Sequence, residues 1–339
     1  MSRAVEPAHA AGPSLLPVRE LGQTGLPVSR LGLGLAALGR PAYMALGRDE
    51  DLGDDRSMFA MMRRCHEVLD AAYAAGIRYI DVARSYGLAE PFVRHWCEAR
   101  GLAADAVTIG SKWGYVYTGD WRVDADRHEV KDLTVGTLRR QFVESLNHLH
   151  RRLALYQIHS ATVESGVLDN AAVLTDLLRL RGLGLRIGLT VTGPRQGDVI
   201  RRALNVRVDG LALFQTVQAT WNLFEPSSGG ALADAHACGC GVIVKEVLAN
   251  GRLTSRSADV RRSGLDRCAR ICGSTIETLA VAAALMQPWA DVVLCGAVTR
   301  EQLQEPLAAL AGGAPDHHLP AMAEPPEAYW ARRAEMAWT

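Results

Sequence analysis

What the 339-residue sequence lacks first of all is an excess of charge. Its 37 basic and 37 acidic residues cancel, so no long-range field draws the chain to nucleic acid or to an anionic membrane. Small molecules are the expected partners. Short basic pairs such as Arg261-Arg262 and Arg332-Arg333 read as solvated surface. No stretch approaches the roughly 20 apolar residues that a bilayer span needs. Residues 1–16 contain Pro, Glu and His and no apolar segment of the signal-peptide kind. The seven cysteines are odd in number and scattered, without the density of a disulfide scaffold, and point to a reducing cytoplasm. Neither His236-Ala-Cys238-Gly-Cys240 nor Cys268-x3-Cys272 completes a four-ligand set at zinc-like spacing, so no metal is expected. Gly32-x-Gly34-x4-Gly39 has the wrong spacing for a dinucleotide fingerprint, and no acid follows at the end of a second strand, so the Rossmann reading fails.

What is present is a large apolar complement. Hydrophobic residues make up 48% of the chain and the mean hydropathy is +0.01, enough for a sizeable core. Eight apolar runs lie near residues 30–35, 77–81, 106–111, 153–158, 185–190, 211–217, 241–245 and 291–295. Each is followed by a helical pattern, as in Leu138, Phe142, Leu146 and Leu149, or Leu279, Ala282, Ala283 and Met286. Eight alternating β and α units argue for a (β/α)8 barrel. We expect a tail at 1–16 and a single barrel over 17–339, opened by a β-hairpin at Val18 to Val28. Polar, Gly- or charge-rich loops at Pro41 to Ser57, Tyr115 to Asp132 and Gly251 to Arg267 follow strands 1, 3 and 7, on the face where such a barrel places its active site.

Three consecutive strands end on chemically useful side chains. Ile77 to Ile80 runs into Asp81, with Tyr86 in the following loop. Val107 to Ser111 runs into Lys112, and Leu153 to Ile158 into His159. An Asp-x4-Tyr pair by itself is as often a cap and a core ring. Asp, Lys and His delivered together to one rim have no explanation in packing.

These motifs resemble the aldo-keto reductases, whose tetrad stands in "FDTA-x-x-YG", "ITSK" and "LYLIH" contexts. The resemblance covers about Leu21 to Leu310. It implies Asp81, Tyr86, Lys112 and His159 as catalytic residues of an NAD(P)-dependent oxidoreductase acting on an aldehyde, ketone or sugar. Tyr86 would exchange the proton, Lys112 would favour its phenolate, Asp81 would keep the ammonium charged, and His159 would polarise the carbonyl. The alternative is a nucleotide-sensing regulatory subunit, since the barrels attached to voltage-gated potassium channels resemble the same family.

The cofactor side follows from the same resemblance. Gly34 would let backbone approach the cofactor. Gln218 matches the family's nicotinamide-binding glutamine and Thr190 stands where the family has Ser, while Val191 replaces its Asn. After strand 7 the family's stacking Tyr is missing, and Lys245 lies in that stretch. After strand 8, Gly296, Ala297 and Gln302 replace the Lys, Ser and Arg of NADPH-preferring relatives. Arg300 is expected to take over the 2′-phosphate, with Glu305 left for adenine. The expected cofactor is NADPH/NADP+, with NADH/NAD+ as the alternative. Trp113, Tyr115 and Trp121, with Tyr117 and Tyr43 nearby, are expected to give an aromatic substrate pocket. The aromatics of the C-terminal segment, Tyr329, Trp330 and Trp338, either wall that pocket or cover a barrel helix.

Overall fold

The computed structural model describes residues 16–312 and 319–339. The expected N-terminal tail therefore lies outside the described residues except for Leu16, which is buried in the core. Eight parallel strands close into a barrel: β1 (Leu31–Gly34), β2 (Tyr79–Asp81), β3 (Thr108–Trp113), β4 (Leu153–Ala161), β5 (Arg186–Val191), β6 (Thr216–Thr220), β7 (Gly241–Lys245) and β8 (Val292–Cys295). Each pairs with its neighbours in chain order, and β8 returns to β1. The sixth strand differs from expectation. The apolar pair Leu211–Ala212 belongs to a separate small hairpin with Arg207–Val208, and the barrel strand begins at Thr216.

Four of the helices open on a polar cap. Ser57, Thr134, Asn170 and Thr275 each accept a hydrogen bond from the backbone N–H three residues on, opening the helices Met58–Ala74, Val135–Leu149, Ala171–Gly182 and Ile276–Leu285. In the Val135–Leu149 helix, Leu138 and Leu149 are buried but Leu146 is exposed. In Ile276–Leu285 nearly every residue is buried, and Met286 lies exposed beyond its end. No single helix among the described residues is long and apolar enough to cross a membrane.

The strands' alternation positions the site. Tyr79, Leu155, Ile243 and Val292 point inward and fill the barrel with Leu21 and Val28. These last two come from the antiparallel pair Val18–Glu20 and Pro27–Ser29, which closes the lower end. Because strand side chains alternate, Asp81 shares the inward face of β2 with Tyr79, and His159 that of β4 with Leu155. A second apolar cluster joins the long segment after β7 to the C-terminal segment, through Leu253, Leu265, Ile276, Tyr329 and Trp330.

One buried acid fastens the helix layer to the barrel beside the site. Glu90 is fully buried in the helix Ala89–Ala99. It accepts from Ser111 Oγ at 2.6 Å, Ser145 Oγ at 2.7 Å and Arg84 Nη1 at 2.9 Å. Removing this carboxylate strands the hydroxyls and the cation it serves. Glu90→Ala is expected to cost about 3 kcal/mol, read as a lowered urea midpoint with an unchanged slope.

Candidate active site

The four candidate residues meet at the C-terminal mouth of the barrel. Lys112, 1% exposed, is ion-paired to Asp81, donates to the Val82 carbonyl at 2.9 Å, and lies 3.3 Å from the Tyr86 hydroxyl. Asp81 accepts further bonds from Gln218 Nε2 at 2.9 Å and Tyr79 Oη at 3.3 Å. The ring of His159 stands edge-on to that of Tyr86, 5.5 Å between centroids, and to that of Tyr115 at 4.9 Å. Its Nδ1 is buried without a partner. Lysine is scarce in this chain, at 112, 131 and 245 only. Lys131 donates to Ser160 O at 2.7 Å and lies 5.5 Å from the Tyr115 ring, so every lysine stands at or beside the same mouth.

Local backbone explains how these side chains are aimed. Lys112 and His159 lie inside strands, since β3 runs on to Trp113 and β4 to Ala161. The register of β4 against β5 slips between Ile158 and Ala161, and Ser160 takes φ +57°, a bulge next to His159 that breaks the regular ladder at the rim. Tyr86 is set by a close approach of two loops. Leu88 N donates to Gly39 O at 2.7 Å, and a Cβ on Gly87, at φ +57°, would run into the Gly39 carbonyl. Glycine is required at 87 on both counts.

The electrostatics follow from burial. Tyr86 is held well above the ordinary phenol value by burial and then by the nearby Asp81 carboxylate, with Arg40 acting in the opposite sense. Its proton is therefore in place at neutral pH. His159 is pushed well below its ordinary value by burial and by Lys112, Arg40, Lys245 and Lys131, so the imidazole is neutral. Burial also lowers Lys112, against the raising effect of Asp81.

A cleft of about 880 Å³ runs from this mouth between the ends of β1, β7 and β8. Asp81, Tyr86, Tyr115, His159 and Gln218 line it, as do Gly34, Lys245, Gly296, Ala297, Gln302 and Glu305. Several expectations need correction. Trp113 is fully buried, because alternation along β3 turns it with Ser111 toward the helices while Lys112 points inward. Trp121 donates to the Arg56 carbonyl and packs on Phe92, and it is not among the lining residues. Of the three expected substrate contacts, only Tyr115 faces the cleft, joined by Tyr43. Thr190 is buried behind the wall with its hydroxyl accepting from Ser160 N at 2.7 Å, and Thr192 lines the cleft instead. Arg300 is not among the lining residues, whereas Arg256 and Arg270 are.

Sequence reasoning missed a second set of lining side chains, Arg40, Glu129, Glu246 and Arg333, which stand beside the expected Trp338. Trp338 alone of the C-terminal aromatics reaches the cleft, while Tyr329 and Trp330 are packed into the second cluster. Arg333, from the helix Pro326–Ala334, donates to both Glu246 oxygens. Thr220 Oγ1 donates to Glu246 at 3.0 Å and accepts from Lys245 Nζ at 2.8 Å. The only advance signal was the ring missing after strand 7.

The family model of the aldo/keto reductases matches residues 31–318. The chain belongs to the aldo-keto reductase family. Solved structures agree on the fold. A Pseudomonas aeruginosa protein described as an aldo-keto reductase is 24% identical, covers 87% of this chain and 95% of its own, and superposes with a TM-score of 0.63. The aldo-keto reductase AKR11C1 of Bacillus halodurans, in its holo form, is 19% identical, covers 95% of this chain and 97% of its own, and gives a TM-score of 0.66. A comparison with curated proteins finds no match.

The Glu246 cluster makes a pH-dependent prediction. Burial would raise this carboxyl, but Arg333 and Lys245 hold it at about 2 against an ordinary 4.5. A depressed acid contributes stability above its unfolded value and loses it as pH falls toward the folded one. That difference corresponds to about 3 kcal/mol. Urea denaturation of wild type and Glu246→Gln should therefore differ by about that amount at pH 7, and the gap should narrow as pH is lowered from 4.5 toward 2.

Proposed function

We propose that the chain catalyses reversible hydride exchange between a nicotinamide dinucleotide and a small carbonyl compound, with Tyr86 as the proton donor and acceptor. The observation that carries this reading is the stack of Asp81, Lys112 and Tyr86 hydroxyl in a cleft of about 880 Å³ that extends to the loop and helix after β8. A bound nicotinamide dinucleotide supplies the hydride. The chain's own residues do the rest. Tyr86 holds a proton at Oη and gives it to the carbonyl oxygen as negative charge develops there. Lys112 Nζ, kept in place by Asp81 and the Val82 carbonyl, stabilises the phenolate that remains. Neutral His159 offers an N–H to the same oxygen without adding a competing charge. Gln218 steadies Asp81 and presents its amide to the cleft. The wall of Arg40, Glu129, Lys245, Glu246 and Arg333 suits a substrate with hydroxyl groups, such as an aldose, better than a purely apolar aldehyde. In Tyr86→Phe, kcat should fall by several orders of magnitude while the Kd of the cofactor changes little. A wild-type kcat would remove Tyr86 from the chemistry.

The cleft also bears on which dinucleotide is taken. The helix after β8 is where a barrel of this kind binds phosphate, and its approach carries Glu301, Gln302 and Glu305. Gln302 donates to Asp51 at 2.6 Å and accepts from Val298 N, while Glu305 accepts from Thr278 Oγ1 at 2.6 Å. Asp266 and Glu277 add carboxylates to this arm. Its guanidinium groups, Arg256 and Arg270, are already paired to Asp51 and Asp266. Among the described lining residues of this arm the carboxylates of Asp51, Asp266, Glu277, Glu301 and Glu305 outnumber the guanidinium groups of Arg256 and Arg270, and a ribose hydroxyl can donate to a carboxylate where a phosphate is repelled. We therefore propose NADH as the preferred dinucleotide, in place of the NADPH expected from the family resemblance and Arg300. Fluorescence titration should give NADH a Kd about tenfold below that of NADPH, the size of one charge-assisted contact. Arg300→Ala should leave the ratio unchanged, and Glu305→Gln should narrow it. Tighter NADPH in wild type would overturn the assignment.

A further inference from the structure

Arg40 is a buried cation that the chemistry above does not use. It follows Gly39 in the loop after β1 and is 2% exposed. Its Nε donates to Ala36 O at 3.2 Å, and its Nη1 to Ser85 O at 2.9 Å and Glu129 Oε2 at 2.7 Å. Its guanidinium carbon lies 5.2 Å from the centroid of the Tyr86 ring, 5.2 Å from that of Tyr43 and 4.7 Å from that of Trp338. Burying a guanidinium costs free energy that one partly exposed carboxylate partner does not offset. Every ring it touches belongs to the cleft wall, so the account of its burial is to be sought at the site rather than in the barrel's stability.

Tyr86 is surrounded by charge from several elements. Asp81 faces it from β2, Lys112 from β3, neutral His159 from β4, Glu129 from the Glu129–Lys131 strand, Glu246 from the end of β7 with its Arg333 partner, and Tyr43 from the first loop. Three of these are carboxylates that oppose a phenolate. Lys112 is a lysine in a dry site, where burial weakens its hold on the proton. Arginine keeps its charge under the same conditions.

We infer that Arg40 is a positioning residue whose permanent positive charge, stacked beside the Tyr86 ring, stabilises the Tyr86 phenolate and so sets the pH range in which the site exchanges a proton. This rests on the reading of Tyr86 as the acid and base. The test must therefore report on the phenol apart from turnover. A fluorinated tyrosine placed at position 86 ionises at lower pH than tyrosine, and its ¹⁹F resonance follows that ionisation with no cofactor or substrate present. An opposite charge at this distance moves such a midpoint by about 1 to 3 pH units. In Arg40→Met the midpoint should rise by that amount, in Arg40→Lys, whose ammonium holds its proton less firmly in a dry site, it should rise by less, and in Glu129→Gln, where the guanidinium loses its counter-charge, it should fall. The high-pH limb of kcat for carbonyl reduction should move in the same order with natural tyrosine. Midpoints that coincide in Arg40→Met and parent, or a Glu129→Gln midpoint that rises, would overturn the inference and leave Arg40 a structural residue. Midpoints that move as expected while Tyr86→Phe retains full kcat would uphold the Arg40 effect and refute the assignment of Tyr86.

Discussion

The ion pair of Lys112 with Asp81 is the interaction on which the site depends. Two charges taken out of water at the top of a barrel are costly, and such a pair is a weak source of stability. Here the cost is offset by complete partnering. Asp81 accepts from Gln218 and Tyr79 as well as from the ammonium, and Lys112 reaches the Val82 carbonyl and the Tyr86 hydroxyl. Side chains from β2, β3 and β6 are thereby tied across the barrel. The geometry leaves Tyr86 on the cleft side of the pair and Lys112 closed off beneath it, so that a phenol with its proton in place faces the cleft.

Parallel strands made much of this legible in advance. A strand buried on both faces reads as an apolar run, and a functional side chain at its end interrupts that run. Asp81, Lys112 and His159 do so in three successive strands, and alternation then decides which way each points. The same alternation accounts for Trp113, which sits one position beyond Lys112 and must face the helices. The pair Leu211–Ala212 was misplaced for a related reason: it is apolar and precedes a strand, but it pairs with Arg207–Val208 outside the barrel.

The loop-borne part of the site was not legible, because loops carry no period from which direction can be read. Arg40 comes from the first loop, Glu129 from the Glu129–Lys131 strand in the third, Glu246 from the turn after β7, and Arg333 from the C-terminal segment, whose Trp338 the sequence does offer as a wall residue. Their meeting depends on long-range contacts: the Arg40 to Glu129 pair, the Arg333 to Glu246 pair, and the stacking of Trp338 on His128 at 4.5 Å. Where relatives offer a ring after strand 7, this chain presents Lys245, lowered to about 8 by burial, with Glu246 beside it. The polar wall that results is a property of this chain's loops rather than of its barrel.

Deuterium tracing tests the central claim most directly. The protein is incubated with reduced nicotinamide dinucleotide deuterated at one face of C4 and with a panel of aldehydes and aldoses, and the products are followed by NMR. Transfer of deuterium to the former carbonyl carbon, from one face of the nicotinamide only and abolished in Tyr86→Phe, is the result predicted. Saturable binding of the dinucleotide with no deuterium in any product above the protein-free blank would contradict the account.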